Sequence, residues 1–473
     1  MENQYPALQY SRRGALKSLS SGFGYLAFAA LADQQARAEP QVPAAGGSLA
    51  PRAPHFPARA KRVIFLSMRG APSHIDLFDH KPRLLKDDGK AGNFGRLRSA
   101  SLLGSPWEFK RHGKSGMWMS ELMPELAAHA DDLCMLKGMH TDLPNHPQAQ
   151  TQMHTGSFQF VRPSLGAWSL YGLGTENSDL PGFVALNPQN GTAQHFGSGF
   201  LPAMYQAARF GEAGVRRGAR RGGSNTPAIP NIKNPQLDSE LQRIQLDYIQ
   251  QLNRAKLERD SEQPGVEGAI ESLELAFRMQ DTLPELMDLS GESQETLELY
   301  GIGSGASDRF GRQCLLARRF AEQGVRFIEL THGNWDHHRN LSTDLPARCN
   351  EIDRPIAGLL ADLKRRSLLD DTLVIWAGEF GRTPHGQGGD GRDHNHKGYT
   401  TWMAGGGTKG GFSYGATDEY GYEAVDGKMH IHDWHATILH LLGLDHERLT
   451  YTHAGRPFRL TDVHGHVAKE ILA

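Results

Sequence analysis

"DRFGRQCLLARRFAEQGVRFIELT" (residues 308–331) and "RPIAGLLADLKRRSLLDDTLVIWAG" (residues 354–378) carry one pattern twice: apolar side chains at helical spacing, then a short β-branched run. In the first copy Gly324 ends the helix before a strand at 325–331; in the second the strand is 372–378. Working outward, "KRVIFLSM" (61–68), bounded by "RGAPSH", and "DLCMLKGM" (132–139) are runs of the same kind. "HPQAQTQMHTG" then predicts a helix starting near Asn145 or His146. "YTTWMAGGG" adds a strand at 399–404, and "DWHATILHLLGL" a helix closed by Gly443. Strands alternating with helices predict an α/β fold, with a mostly parallel sheet covered by helices on both faces.

A chain of 473 residues can build one large domain of this class or two ordinary ones. Its 51 Lys plus Arg against 53 Asp plus Glu argue against a polyanion-binding surface, and so against nucleic acid as a partner. Cys134, Cys314 and Cys349 lie far apart without C-x-x-C spacing, which implies neither a disulfide framework nor a zinc knuckle. The 23 histidines, many in the last third, exceed what a solvated surface requires.

Residues 1–38 read as an address. "SRRGALKSLSSGFGYLAFAALADQQARA" pairs Arg12 with Arg13, follows them with a short apolar stretch from Tyr25 to Leu31, and sets Ala36 and Ala38 before Glu39. It resembles a twin-arginine export signal, with Ala15 where phenylalanine is common; an ordinary amphipathic leader is the alternative. The apolar run is too short, and too interrupted by Gly22 and Gly24, for a transmembrane anchor. The resemblance implies the twin-arginine machinery as a partner and a periplasmic or secreted destination. Residues 39–60, rich in Pro, Ala and Gly, read as a flexible linker, and the domain is expected over 61–473. Within it, 210–236 is basic and full of Gly and Pro, a mobile loop. About 237–300 is expected as a helical insertion, either a solvated hairpin or a substrate lid.

In sheets of this class ligands sit at the carboxyl ends of the strands. The loops expected there offer His74 and Asp76, then Thr141 and His146, then Asp336, His337 and His338, then Glu379 and Arg382. Just before the strand at 399–404 come Asp393, His394 and His396. Any one of these groups alone is more often a surface polar cluster than a ligand set. Together, at successive strand ends, they point to a divalent metal, zinc most readily, with calcium, manganese or magnesium as alternatives. Beside such a metal, the guanidinium fork of Arg382 would hold an anionic ester.

Several stretches resemble known families. "LLDDTLVIWAGEFGRTP", "HIHDWHATILHLLGLDH", "HAGRPF" and "MHTG" with "RPSLGAW" are similar to sulfatase segments. "GAPSHIDLFDHKP", "NHPQAQTQMHTG", "GNWDHHRN", "GEFGRTP" and "GRDHNH" together resemble a large bacterial family of sulfatase-like proteins, exported by twin-arginine signals and placed in the alkaline phosphatase and sulfatase superfamily. The resemblance implies a three-layer sandwich of the alkaline-phosphatase type. It implies that Asp336 with His338, or His337, and His394 or His396 hold one metal. For a second metal the superfamily's aspartate and histidine are replaced by Glu379 and Phe380, and the aspartates after the first strand by Ser67, Met68 and Arg69; His74 and Asp76 could substitute from further along.

The superfamily's nucleophile is also replaced, by Asn145 and His146, with Thr141 the nearest hydroxyl before the helix. Metal-activated water with His146 as general acid or base is one reading; helix capping by Asn145 and His146 is the other. Two functions stay open. One is an exported metal-dependent hydrolase of sulfate or phosphate esters, with an anionic ester or a sulfated or phosphorylated glycan as substrate. The other is a catalytically degraded scaffold that acts in binding.

Overall fold

The computed structural model describes residues 49–94, 97–188, 193–211, 238–260, 264–303 and 305–473. The expected export signal and most of the expected mobile loop lie outside the described residues. The central sheet contains β1 (Arg62–Met68), β2 (Leu133–His140), β3 (Phe183–Leu186), β4 (Ala208–Phe210), β5 (Phe327–His332) and β6 (Thr372–Ala377). A two-stranded ribbon follows, β7 (Gly381–Gln387) with β8 (Gly391–Asn395), and the sheet is completed by β9 (Tyr399–Ala404), β10 (Phe412–Tyr414) and β11 (Met429–His430). Spatial order is β10-β2-β9-β6-β1-β5-β3-β4, with β11 also on β2. Every pairing is parallel except those of β9, which runs against β6 and β2.

All seven residues of β1 are buried, the signature of a strand covered on both faces. Its side chains alternate between two cores. Ile64, Leu66 and Met68 join Phe310 and Leu315 of α5 (Asp308–Glu322) and Leu345 and Ile356 of α6 (Leu341–Arg365). Val63 and Phe65 join Met153 of α1 (His146–Thr155), Trp168 of α2 (Leu165–Leu173) and Trp434 of α7 (Ile431–Leu441). Helix, sheet, helix is the three-layer arrangement expected from the alternation of elements. The insertion folds as two long helices, α3 (Ser239–Asp260) and α4 (Pro264–Met287). The three cysteines are buried and free. Among the described residues no helix is long and apolar enough to cross a membrane.

Two expectations change. Residues 49–60, the described part of the expected linker, lie against the domain. Arg52 N donates to Leu173 O at 2.8 Å, Ala60 N donates to Leu441 O at 2.8 Å, and Ala60 is buried. The backbone donors of this Pro-rich stretch find carbonyls at helix ends. "GRDHN" is strand β8 rather than a polar loop, paired to β7 with His394 opposite Arg382. The antiparallel sense of β9 explains how its leading residues reach the others: a strand running backward begins where parallel strands end.

Candidate metal centre

Four side chains from one helix start, one loop and one ribbon strand converge at that edge: His146, the first residue of α1; Asp336 and His338, beyond β5; and His394, on β8. One donor atom from each lies within 4.8 Å of all the others. Asp336 Oδ1 is 2.9 Å from His338 Nε2, 3.1 Å from His146 Nε2 and 3.2 Å from His394 Nε2. His338 Nε2 and His394 Nε2 are 2.9 Å apart.

The opposite ring nitrogens explain why these Nε2 atoms face inward. His146 Nδ1–H donates to Glu379 Oε1 at 2.6 Å, His394 Nδ1–H to the Pro144 carbonyl at 2.7 Å, and His338 Nδ1–H to the Gln387 side-chain carbonyl. Each acceptor fixes the tautomer with the proton on Nδ1, so each neutral ring points an Nε2 lone pair into the cluster. Two lone pairs at 2.9 Å repel unless a cation lies between them. Ligands about 2.0–2.1 Å from one ion stand about 2.8–3.0 Å apart at right angles and about 3.3–3.4 Å apart in a tetrahedron, so the spacings of 2.9–3.2 Å fit a transition metal such as zinc. Three imidazoles and one carboxylate suit such an ion better than calcium or magnesium, which take oxygen. The Asp336 side chain is 42% exposed, so the cluster opens to solvent.

Surrounding residues hold these donors in place. Glu379 is fully buried; besides His146 it accepts from Gln150 Nε2 at 2.9 Å and from Gly70 N at 3.0 Å. Arg382, 1% exposed, donates through Nη2 to Asp336 Oδ1 at 2.7 Å and through Nε to Ala71 O at 2.9 Å. At the ribbon tip Asp390 accepts from Asn340 N at 2.7 Å and from Ser342 Oγ at 2.7 Å, which ties the ribbon to the start of α6. Where the ribbon crosses the loop beyond β5, a Cβ on Gly391 would lie 2.0 Å from the His338 carbonyl carbon, so only glycine fits.

Electrostatics follow from this packing. Burial opposes protonation of His146, but Asp336 and Glu379 outweigh it and lift its pKa to about 8 in the metal-free protein. Burial would raise Asp336, yet hydrogen bonds from His146, His394 and Arg382 hold it far below the usual carboxylate range. Glu379 is likewise lowered, burial being outweighed by His146 and Gln150.

Of the residues expected to be ligands, Asp336, His338 and His394 meet, and His146 joins them although it was expected to be a general acid or base. Both of its ring nitrogens face acidic groups, Asp336 and Glu379, which leaves neither for a substrate. Asn145 precedes α1 without a side-chain capping bond. Glu379 stands behind His146 rather than in the cluster. His337 is buried outside the cluster, its pKa lowered to about 4 by burial and by Arg382. His396 is also outside, its carbonyl accepting from Thr141 N at 2.9 Å. Asp393 accepts from His394 N at 2.8 Å and lies 4.0 Å from His338 Nδ1, a place beside the ligands.

Three expectations fail for lack of free atoms. Thr141 is buried and donates to Gln152 Oε1 at 2.9 Å, so its hydroxyl is no nucleophile. His74 is buried, with Nε2 2.9 Å from Gly421 O and Nδ1 facing Arg382 N at 3.4 Å. Asp76 takes both arms of Arg392, at 2.7 and 3.0 Å, with both side chains fully buried. The fork of Arg382 is engaged by Asp336 and backbone carbonyls, so it does not reach an ester. Sequence reading missed Pro144, Gln150, Gln387, Asp390 and Gly391. Only Gly391 carried a signal, as a glycine flanking a polar motif; a backbone carbonyl such as that of Pro144 leaves none.

The family model described as "Protein of unknown function (DUF1501)" matches residues 60–472. No curated protein matches the chain. Among solved structures, the PsFucS1 sulfatase from Pseudoalteromonas sp. is similar at 13% identity and TM-score 0.35, covering 82% of this chain and 69% of that one. The lipoteichoic acid synthase LtaP from Listeria monocytogenes is similar at 9% identity and TM-score 0.38, covering 88% and 78%. A protein in the alkaline phosphatase superfamily from Vibrio parahaemolyticus is similar at 11% and TM-score 0.34, covering 84% and 70%.

Proposed function

The chain belongs to the DUF1501 family, and we propose that it is an exported metal-dependent hydrolase of anionic esters, sulfate or phosphate, with one divalent ion held by His146, Asp336, His338 and His394. The observation that carries the reading is the inward set of three Nε2 lone pairs, each enforced by an acceptor on the opposite Nδ1. An ion held there supplies electrophilic activation of an ester and of the water that attacks it. The residues do the rest. Asp336 lowers the charge of a bound cation and stays ionised through its contact with Arg382. Glu379 keeps His146 in the ligating tautomer, and the open side of the cluster admits an ester. The nearest hydroxyl before α1, that of Thr141, is buried and donates to Gln152. Direct attack by water is therefore the route proposed. Export by the twin-arginine route, with delivery to the periplasm or beyond, is the proposal for residues 1–38.

The test is metal content of the purified full chain by mass spectrometry, followed by turnover of aryl sulfate and aryl phosphate esters. The expected result is close to one ion per chain and hydrolysis of one ester class, both lost in His338→Ala. Absence of bound metal after incubation with zinc or manganese would sink the reading. Metal without turnover of either ester class would move the site to a binding role.

A further inference from the structure

Helix α3 is occupied on one face and bare on the other. Leu246 and Gln250 are buried, and Gln250 Nε2 donates to Ile270 O of α4 at 2.8 Å. By contrast Leu241, Ile244, Tyr248 and Leu252 are 50, 59, 62 and 54% exposed. At about 100° per residue these four fall within about 80° of one another around the helix, with Leu246 and Gln250 on the opposite side. Single exposed apolar side chains are ordinary on a protein surface; a stripe of four along three turns is not.

We propose that a second copy of the chain covers this stripe, the two α3 helices packing antiparallel about a two-fold axis near Ile244 and Tyr248. Three features support that occupant. The steps of three, four and four residues between the exposed side chains are those of a helix-pairing seam. The charges are distributed for an antiparallel partner: Asp238 and Glu240 stand at one end of the stripe and Arg254 at the other. Antiparallel packing sets the partner's Arg254 beside Glu240, and does so twice across the axis. Parallel, in-register packing would leave Glu240 and the partner's Arg254 at opposite ends of the seam, about 21 Å apart along the axis. The exposed apolar surface of the four side chains is on the order of 400 Å², and flanking Gln245, Gln251 and Arg254 bring the patch toward the roughly 800 Å² per partner of a standard interface. The same patch on both copies closes the assembly at two.

The inference is independent of the metal centre, and its test reads mass rather than activity. Sedimentation equilibrium of the full chain is expected to show a monomer–dimer equilibrium with a dissociation constant at or below about 10 µM. The double substitution Ile244→Lys with Leu252→Lys should raise that constant at least about 100-fold. Helix content should be unchanged, and so should the melting temperature at concentrations where the wild type is monomeric, because both positions are exposed in the single chain. A wild-type chain that stays monomeric at about 100 µM, or a double variant that associates like wild type, overturns the proposal. Arg254→Glu should weaken association about tenfold, and adding Glu240→Arg should restore it. Failure of that restoration overturns the antiparallel arrangement.

Discussion

Two stretches of this chain present the same chemistry at the same level of the sheet and meet different fates. "HID" at 74–76, in a four-residue helix beyond β1, and "DHH" at 336–338, in the loop beyond β5, each bring an aspartate and a histidine after a parallel strand. In the first, His74 and Asp76 are buried, every ring nitrogen faces a backbone group, and the carboxylate is taken by both arms of Arg392. In the second, Asp336 and His338 remain part-exposed; Gln387 holds the rear nitrogen of the ring, and the other nitrogen faces Asp336 and His394. Both aspartates contact an arginine, so a neighbouring guanidinium does not separate a strut from a site. The separation lies in geometry: a two-armed ion pair fills the carboxylate, whereas a single Nη2 contact leaves Asp336 free to face three imidazoles.

This contrast can be broken from either side. The largest effect is expected from His338→Ala or His394→Ala, which should lower turnover at least about 1000-fold and abolish stoichiometric metal while the fold persists. His74→Ala, measured beside them, should leave metal stoichiometry intact in the folded protein; loss of metal there would erase the distinction. Next comes Asp76→Asn, which strands a buried guanidinium and should destabilise the fold by about 3–5 kcal/mol in chemical denaturation, without changing metal content below the transition.

A smaller effect is expected from Glu379→Gln. It keeps an acceptor for His146 Nδ1 but removes the charge, and should weaken metal affinity about 10–100-fold in a chelator competition. A change under twofold would show that Glu379 serves packing alone. The smallest effect is in pH. The His146 pKa is raised from 6.5 to about 8, so in the metal-free protein its pairing contributes stability that is fully present below about pH 6.5 and lost as pH rises through 8. Metal must displace that proton. Calorimetry in buffers of different ionisation enthalpy should therefore show proton release on metal uptake at pH 7 that fades above pH 8 and shrinks in Glu379→Gln.

Much of the architecture was legible because it is local. The repeated helix-then-strand segments at 308–331 and 354–378 carry their own periodicity, and β1, β5 and β6 fall where their apolar runs are. The edge that holds the cluster was legible from the strand direction alone. What could not be read was which imidazole of each pair is used. His337 and His338 are adjacent and chemically identical, yet one is buried with neither ring nitrogen hydrogen-bonded among the described residues, while the other is turned outward by Gln387, 49 residues away. His394 is selected over His396 because β8 ends at Asn395 and the chain bends at His396 before β9; the polar composition of β8 concealed that it is a strand.

The sequence by itself determined an α/β layer fold, the end of the sheet where chemistry gathers, and the residue types that gather there, because periodicity and strand direction are properties of short segments. Only the tertiary structure decided that His146 joins the cluster, that Glu379 and Arg382 stand behind it, and that His74 and Asp76 are struts. Ligation depends on where a lone pair points, and here that is set by acceptors such as the Pro144 carbonyl, 250 residues from the His394 it orients.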